Sequence, residues 1–189
     1  MISNWTIKPD AVPTKTIDEI VDFVENNYTF EKGLVNGSSD VIDHRASDIA
    51  WVGLQAGDAH LNNYIWNFIQ HANRAFFGFD IQLIPSIQYT IYRSEYKGHY
   101  DWHHDTSFAG VAPYCRKLSF ILQLSDSDEY EGGDFELDPD YRDDNFTKEE
   151  LRAKGTAIVF PSFYKHRVTP VTKGVRRSLV AWAEGPKFR

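Results

Sequence analysis

Two segments in the first part of the chain carry apolar residues every three or four positions, which is the spacing of an amphipathic helix. The apolar positions of the first segment are Ile17, Ile20, Val21 and Val24. Those of the second segment are Leu61, Ile65, Phe68 and Ala72. Thr16 and Glu19 have the spacing of a capping box, and Asp58 is a favourable N-cap residue, so these residues predict where the two helices begin.

The pattern changes to that of β-strands after residue 81, although residues 49–52 already predict one strand, after polar turn residues 36–40. Residues 87–92 are rich in β-branched and aromatic side chains, and apolar residues alternate along 118–124. Further strands are predicted at 135–137, after the glycine pair 132–133, and at 156–160, 165–169 and 178–182. Helices with many short antiparallel strands favour a barrel or a double-sheet jelly roll over a parallel sheet.

The length and composition are those of a folded protein. The chain has 189 residues, of which 42% are apolar and 25% charged, which is enough for one domain of ordinary size. We therefore expect a single domain over 1–189, with a helical N-terminal support region (1–80) and a jelly-roll core (81–189). An acidic, loop-like insertion at 138–150 interrupts this core and is a candidate lid over a site.

The charge and cysteine content exclude several classes of function. The net charge of −7 argues against a nonspecific nucleic-acid or anionic-membrane partner, while leaving room for a local basic pocket. The single cysteine, Cys115, excludes an internal disulfide framework and is interpreted as a structural thiol. No signal peptide is apparent in the first twenty residues and no stretch could span a bilayer, so we expect a cytoplasmic protein.

The candidate chemistry lies in residues 99–105, where the pattern His-x-Asp occurs twice, at His99/Asp101 and at His103/Asp105. Residues two apart on a strand point to the same side, so either pair could present an imidazole and a carboxylate to one cation. His166, the one histidine downstream, would supply a third ligand. Two histidines and a carboxylate form the facial triad that leaves positions open on Fe(II), whereas structural zinc sites usually use thiolates.

A second candidate feature follows His166 in the chain. On a strand Arg176 and Ser178 share a face with Val180 and Trp182, whereas Arg177 faces the other way. A guanidinium beside a hydroxyl can bind a carboxylate through several hydrogen bonds. An inward-facing Arg176 near a metal therefore suggests a dicarboxylate co-substrate that chelates the metal at one end and binds the arginine at the other.

Five parts of the chain form a recognisable series: 88–92, 98–105, 116–119, 123–125 with 130–133, and 160–171. In order and spacing, they resemble the 2-oxoglutarate/Fe(II)-dependent oxygenases of the prolyl-4-hydroxylase type. Residues 44–47 followed by Trp51 resemble the family more weakly. The resemblance implies a mainly β fold with flanking helices (α+β) and a double-stranded β-helix core of the jelly-roll, cupin-like type. It also implies Fe(II), 2-oxoglutarate and O₂, with ascorbate as a candidate additional reductant.

Carried over residue by residue, the family's metal triad falls on His103, Asp105 and His166. The pair His103/Asp105 is preferred because Gly98 and Tyr100 complete the pattern Gly-x-Tyr-x-x-His-x-Asp. The rival pair at His99/Asp101 also has a tyrosine three positions upstream, Tyr96, so that alternative stays open.

The resemblance further implies that Arg176 and Ser178 bind the distal carboxylate of 2-oxoglutarate, with help from a tyrosine. Tyr92 is the candidate on the first core strand, although it lies about two residues further from His103 than the family pattern expects. Residues 94–96 would then form a bulge or a longer turn, and Tyr100 is the alternative tyrosine.

The expected function is that of a non-haem Fe(II) dioxygenase that couples decarboxylation of 2-oxoglutarate to hydroxylation of a substrate C–H bond. A peptidyl proline or another protein residue is the preferred substrate. The alternatives are a free amino acid or small metabolite, or a non-catalytic metal-binding module of the cupin type. Arg176 favours an enzyme, because a metal-binding module needs no dicarboxylate anchor. The sequence carries no signal for the oligomeric state.

Overall fold

Both predicted amphipathic helices form in the computed structural model, which describes residues 5–33, 44–52, 59–107, 112–138, 140 and 146–188. Helix α1 spans Thr14–Asn27 and buries Ile17 and Val24, while α2 spans Ala59–Ala72 and buries Ile65 and Ile69. One π-helical turn, Asn73–Phe77, follows α2 and ends at Gly78, whose φ of 71° suits glycine. No helix within the described residues is long and apolar enough to cross a membrane.

The capping box predicted at Thr16 and Glu19 is wrong, because the N-cap of α1 lies three residues earlier. The N-cap is Pro13, with φ −59° and ψ 142°, and no side chain caps the first turn. The proline ring fixes φ near this value, and the extended ψ is typical of an N-cap residue. The amide of Ile17 donates to the carbonyl of Pro13, which closes the first turn. Asp58 and the turn at 36–40 lie outside the described residues.

The strands predicted from the sequence are present, and two antiparallel sheets contain them. The strands are β1 (Thr6–Lys8), β2 (Glu31–Lys32), β3 (Arg45–Ala46), β4 (Asp48–Val52), β5 (Ile87–Arg93), β6 (His99–His103), β7 (Tyr114–Gln123), β8 (Tyr130–Gly132), β9 (Phe135–Leu137), β10 (Ala157–Pro161), β11 (His166–Val168) and β12 (Val171–Pro186). The larger sheet has the order β1-β10-β7-β12-β5-β4-β2, with β8 paired to β12. The smaller sheet has the order β3-β6-β11-β9.

The alternation along β7 shows how the layers are arranged. Leu118, Phe120 and Leu122 pack in the core that also contains Ile65 and Ile69 of α2, so the helices cover this face of the larger sheet. Ile121 points the other way and packs with Phe135 of β9 in the smaller sheet. Both faces of β7 are therefore buried. The predicted fold class, mainly β with flanking helices and a double-sheet jelly-roll core, is confirmed.

The predicted acidic insertion at 138–150 ends in a short helix rather than in a loop. Helix α3 spans Lys148–Arg152, and Thr147 and Glu150 form its capping box. The carboxylate of Asp134 pairs with Lys148 and with Arg152 at 2.7 Å each, which ties α3 to the residue before β9. Residues 139 and 141–145 lie outside the described residues, so the lid remains a prediction.

Candidate metal centre and co-substrate pocket

Three side chains from two distant segments of the chain meet in the cavity between the two sheets. His103 ends β6, Asp105 follows it, and His166 begins β11. One ligand atom from each lies within 4.8 Å of the others. The Asp105 carboxylate is 3.5 Å from Nε2 of His103 and 3.4 Å from Nε2 of His166. His99 and Asp101, the rival pair, are not part of this cluster.

A β-bulge in β6 determines which side chains of this strand lie on the same side as His103. His166 pairs with His103, whereas Val168 pairs with Tyr100, so β6 uses one more residue than β11 over this stretch. The extra residue changes the side to which later side chains point. Tyr100 and His103 consequently lie on the same side, with their rings stacked at 3.5 Å, while Asp101 and His104 are exposed. The sequence alone gives no sign of this bulge.

Backbone carbonyls fix the orientation of both imidazoles. Nδ1 of His103 lies 2.7 Å from the carbonyl of Asp101, and Nδ1 of His166 lies 2.9 Å from that of Tyr164. A carbonyl only accepts hydrogen bonds, so in each neutral ring Nδ1 carries the proton. Each Nε2 then keeps its lone pair and faces Asp105, which is the state that a metal ligand requires.

The Asp105 carboxyl group is held in its ionised form. Burial favours the neutral form, but the neighbouring His166 and His103 and a hydrogen bond from Ser119 outweigh burial and hold the pKa of Asp105 well below its usual range. Burial lowers the pKa of His166 to about 4, although the Asp105 carboxylate opposes that shift. At neutral pH Asp105 is therefore ionised and His166 is uncharged. Neither residue has to release a proton before it can bind a metal.

Two buried serines, which the sequence did not single out, position Asp105. Oγ of Ser119 donates to Oδ2 of Asp105 at 2.6 Å, and the Ser119 and Ser162 hydroxyls are 2.9 Å apart. Because Ser119 uses its proton on Asp105, Ser162 donates to Ser119. The carbonyl of Ser162 also accepts the amides of Asp105 and Thr106. Ser119 lies on the face of β7 that turns away from the helices. A polar residue on that face is the sequence feature that could have identified Ser119.

We expect Ser119→Ala to weaken divalent metal binding by about 10- to 100-fold, because partners of a metal-binding carboxylate commonly contribute that much to affinity. Anaerobic titration with Mn(II) or Fe(II) measures the change. Ser125→Ala is a matched control, since Ser125 is equally buried and bonds the backbone of Val175 and Arg177 instead. A folded Ser119→Ala variant with wild-type metal affinity would contradict this role.

The donor set fits Fe(II). Two imidazole nitrogens, which are borderline ligands, and one carboxylate oxygen, which is a hard ligand, form the donor set typical of non-haem Fe(II). The remaining side of the cluster opens into a cavity of about 810 Å³ lined by both sheets. The described residues add no thiolate to this site, since Cys115 is buried elsewhere and does not line the cavity. The arrangement leaves room for exchangeable ligands on the metal, unlike a closed structural site.

The same cavity contains a buried arginine whose hydrogen bonds are largely unmade. Arg176 of β12 is 1% exposed, and its Nη2 donates to Oε1 of Gln123 at 2.9 Å. Nε and Nη1 are buried and have no partner among the described residues. Leaving the donors of a charged group unpaired in a buried site is costly, so these unpartnered nitrogens suit an anion that enters the cavity. A carboxylate of 2-oxoglutarate is an anion of this kind.

Neighbouring strands surround this arginine. Tyr92 of β5 lies opposite Arg176 in the sheet, with its ring centroid 5.4 Å from Cζ, and Ser178 is 1% exposed and lines the same cavity. Tyr100 instead lies against His103. A Cβ at Gly133 would come within 3.1 Å of Cδ of Arg176, so the glycine leaves room for the arginine. Residues 94–96 form a short 3₁₀ turn, as expected from the longer spacing after Tyr92.

Relatives of known sequence match about half of the chain. A PKHD-type hydroxylase of Synechococcus sp. (strain CC9311) is 35% identical over 100 residues, covering 51% of this chain and 41% of the relative. A PKHD-type hydroxylase of Synechococcus sp. (strain CC9605) is 40% identical over 85 residues, 45% of this chain and 36% of the relative. The matched part thus spans about two fifths of the length of these relatives.

Solved structures share the fold over almost the whole chain. A Pseudomonas putida prolyl-4-hydroxylase superposes with a TM-score of 0.71 at 16% identity, covering 98% of this chain and 94% of that one. A Trichoplax adhaerens prolyl hydroxylase, solved with a hypoxia inducible factor peptide, gives 0.73 at 17% identity, covering 96% and 83%. The model of the 2OG-Fe(II) oxygenase superfamily matches residues 87–184, which include the clustered histidines, Asp105 and Arg176. The chain therefore belongs to the 2OG-Fe(II) oxygenase superfamily.

Proposed function

We propose that this protein is an Fe(II)-dependent dioxygenase that couples oxidative decarboxylation of 2-oxoglutarate to hydroxylation of a substrate C–H bond. His103, Asp105 and His166 are its metal ligands, and Arg176, Ser178 and Tyr92 bind 2-oxoglutarate. The observation that carries the proposal is that Arg176, with two unpartnered nitrogens, shares one cavity with the histidine and aspartate cluster.

Fe(II), 2-oxoglutarate and O₂ together supply the oxidising chemistry, which yields succinate, CO₂ and one oxygen atom inserted into the substrate. The chain's own residues hold and orient the reactants. The two Nδ1 hydrogen bonds keep His103 and His166 in the ligating tautomer, and Ser119 fixes Asp105. Arg176, which is 1% exposed, neutralises the distal carboxylate in a buried part of the cavity.

We infer that the substrate is a protein residue, with a peptidyl proline as the preferred target. The names of the related proteins and the bound peptide of the Trichoplax enzyme support this preference. The cavity also suits a bulky substrate, because Trp51 on its lining is 37% exposed and Trp102 is half-buried. Aromatic side chains in such positions are common contacts for peptides.

The experiment that tests this function measures succinate formed from 2-oxoglutarate with Fe(II) and ascorbate, with and without prolyl peptides. We expect succinate formation to rise with a substrate and the substrate mass to increase by about 16 Da, one oxygen atom. His103→Ala serves as the inactive control. Bound metal without succinate formation under any condition would contradict the proposal and favour a non-catalytic metal-binding module.

A further inference from the structure

A second arginine in the cavity is buried without an anionic partner. Arg45 of β3 is 8% exposed and lines the cavity. Its Nε donates to Oγ of Ser47 at 2.9 Å and its Nη2 to Oε1 of Gln88 at 2.8 Å, both of which are neutral acceptors. Its guanidinium also lies 4.5 Å from the centre of the Tyr100 ring. Among the described residues no carboxylate pairs with it.

The other cations of the cavity show why Arg45 is unusual. Lys32 pairs with Asp48 at 2.6 Å, and Arg116 lies over the Trp182 ring with Glu184 at 4.0 Å. Of the cations that line the cavity, only the two buried ones, Arg176 and Arg45, lack a carboxylate partner among the described residues. A buried charge without a counter-ion is costly, and binding an anion recovers part of that cost. The proposed ligand of Arg176 is 2-oxoglutarate, which leaves Arg45 for a different anion.

The charge of the loaded cavity favours the same conclusion. The ionised side chains on its lining are four cations and two carboxylates: Lys32, Arg45, Arg116, Arg176, Glu31 and Asp105. The charges of Fe²⁺ and of the 2-oxoglutarate dianion cancel when both are bound. Lys32 and Arg116 are paired with Asp48 and Glu184, and Arg176 would bind 2-oxoglutarate, so within the described part of the chain Arg45 is the cation of this lining that keeps an unneutralised charge. An unpaired cation of this kind attracts anionic ligands.

The hydrogen bonds of Arg45 leave part of its guanidinium available. Nε donates to Ser47 and Nη2 to Gln88, which leaves Nη1 without a partner among the described residues. A guanidinium nitrogen of this kind can donate a charge-assisted hydrogen bond to a carboxylate. Gly33 leaves room for the side chain of Arg45, since a Cβ at residue 33 would lie 2.6 Å from Nε of Arg45.

We propose that Arg45 binds a carboxylate of the substrate, so that the protein selects substrates carrying a carboxylate near the hydroxylated carbon. The proposal rests on the function proposed above and narrows its substrate class. The carboxylate belongs either to an acidic peptide or to a free amino acid, and the two sources share the same contact. Gln88 keeps Arg45 unneutralised, because a glutamate at this position would supply the missing anion from within the protein.

Binding to the loaded protein tests the site without requiring turnover. The protein is loaded with Mn(II) and saturating 2-oxoglutarate under anaerobic conditions, so that Arg176 is occupied, and titrated with matched probes. The first pair is L-proline and prolinamide; the second is a blocked Asp-Pro-Asp tripeptide and its Asn-Pro-Asn counterpart. We expect the carboxylate member of one pair to bind about 10- to 100-fold more tightly than its neutral counterpart, as for charge-assisted hydrogen bonds. A preference within the proline pair would mean that the carboxylate belongs to a free amino acid. A preference within the tripeptide pair would mean that it belongs to an acidic peptide.

The variants assign the preference to Arg45. Gln88→Glu keeps the size and the hydrogen bonds of the side chain and is expected to abolish the carboxylate preference, as is Arg45→Met. Arg45→Lys is expected to retain part of the carboxylate preference. Arg74→Met is the control and is expected to retain all of this preference, because Arg74 is an exposed arginine on the π-helical turn. Should Arg45→Met fold poorly, Gln88→Glu alone decides the outcome.

Two results would overturn the proposal. The first is equal binding of the carboxylate and neutral probes by the wild-type protein. The second is a carboxylate preference that survives Gln88→Glu, since that result would assign it to Arg116 or Lys32. Binding of the metal and of 2-oxoglutarate is measured first. If either does not bind, that result counts against the proposed function and not against the Arg45 site. A carboxylate preference that depends on Arg45, without succinate formation, would support the Arg45 site and contradict the dioxygenase.

Discussion

His103→Ala is expected to abolish metal binding, whereas His99→Ala leaves it close to wild type. Loss of His103 removes one of three donors from the cluster, and the remaining Asp105 and His166 supply too few ligands to hold Fe(II) or Mn(II) at concentrations that saturate the wild-type protein. Anaerobic titration with Mn(II), followed by metal analysis of the desalted protein, measures the difference. Succinate formation should be lost in parallel.

His99 is a closely matched control for this substitution. Both histidines lie on β6, both are half-buried, and in both the Nδ1 atom lies against the backbone carbonyl two residues earlier. Alanine therefore removes the same ring and the same local hydrogen bond at each position. The two variants differ in whether the ring belongs to the cluster. Metal binding that survives His103→Ala but not His99→Ala would mean that His99/Asp101 is the ligand pair.

The sequence predicts most of the architecture because the buried faces follow simple periods. Leu118, Phe120 and Leu122 alternate along β7, and Ile17 and Val24 mark the buried face of α1, so the elements could be located before their partners were known. The residues at which the helices begin were harder to predict. Thr16 and Glu19 satisfy the spacing of a capping box, yet the N-cap is Pro13, whose ring fixes φ and whose extended ψ is typical of an N-cap residue.

The candidate site was only partly predictable. Spacing within the family pattern singled out His103, Asp105, His166 and Arg176, and the structure brings them to one cavity. The bulge in β6 depends on how β11 pairs with it, which no local pattern specifies. The contacts that complete the site are between residues far apart in sequence, such as Ser119 with Asp105, Arg45 with Gln88, and Arg176 with Gln123.

Arg176→Met is expected to weaken 2-oxoglutarate binding by about 100-fold or more, because removing one member of a buried, hydrogen-bonded charge pair has a cost of that order. Isothermal titration of the Mn(II)-loaded protein with 2-oxoglutarate measures the loss. Arg176→Lys should recover part of the affinity, since lysine restores the charge but not the planar pair of donors. Arg177→Met is the control on the same strand, because Arg177 faces away and pairs with Glu25 at 2.7 Å.

The stability of the same variant separates a ligand-binding role from a structural one. Without ligand, Arg176 is a buried cation with two unpaired nitrogens, so replacing it with an apolar side chain of similar length should raise the free energy of unfolding by about 1–4 kcal/mol. Added 2-oxoglutarate should stabilise the metal-loaded wild-type protein but not Arg176→Met, because only a bound ligand shifts the unfolding equilibrium. If Arg176→Met instead destabilised the ligand-free protein and still gained stability from 2-oxoglutarate, Arg176 would be holding the fold together, and the anchor would lie elsewhere in the cavity.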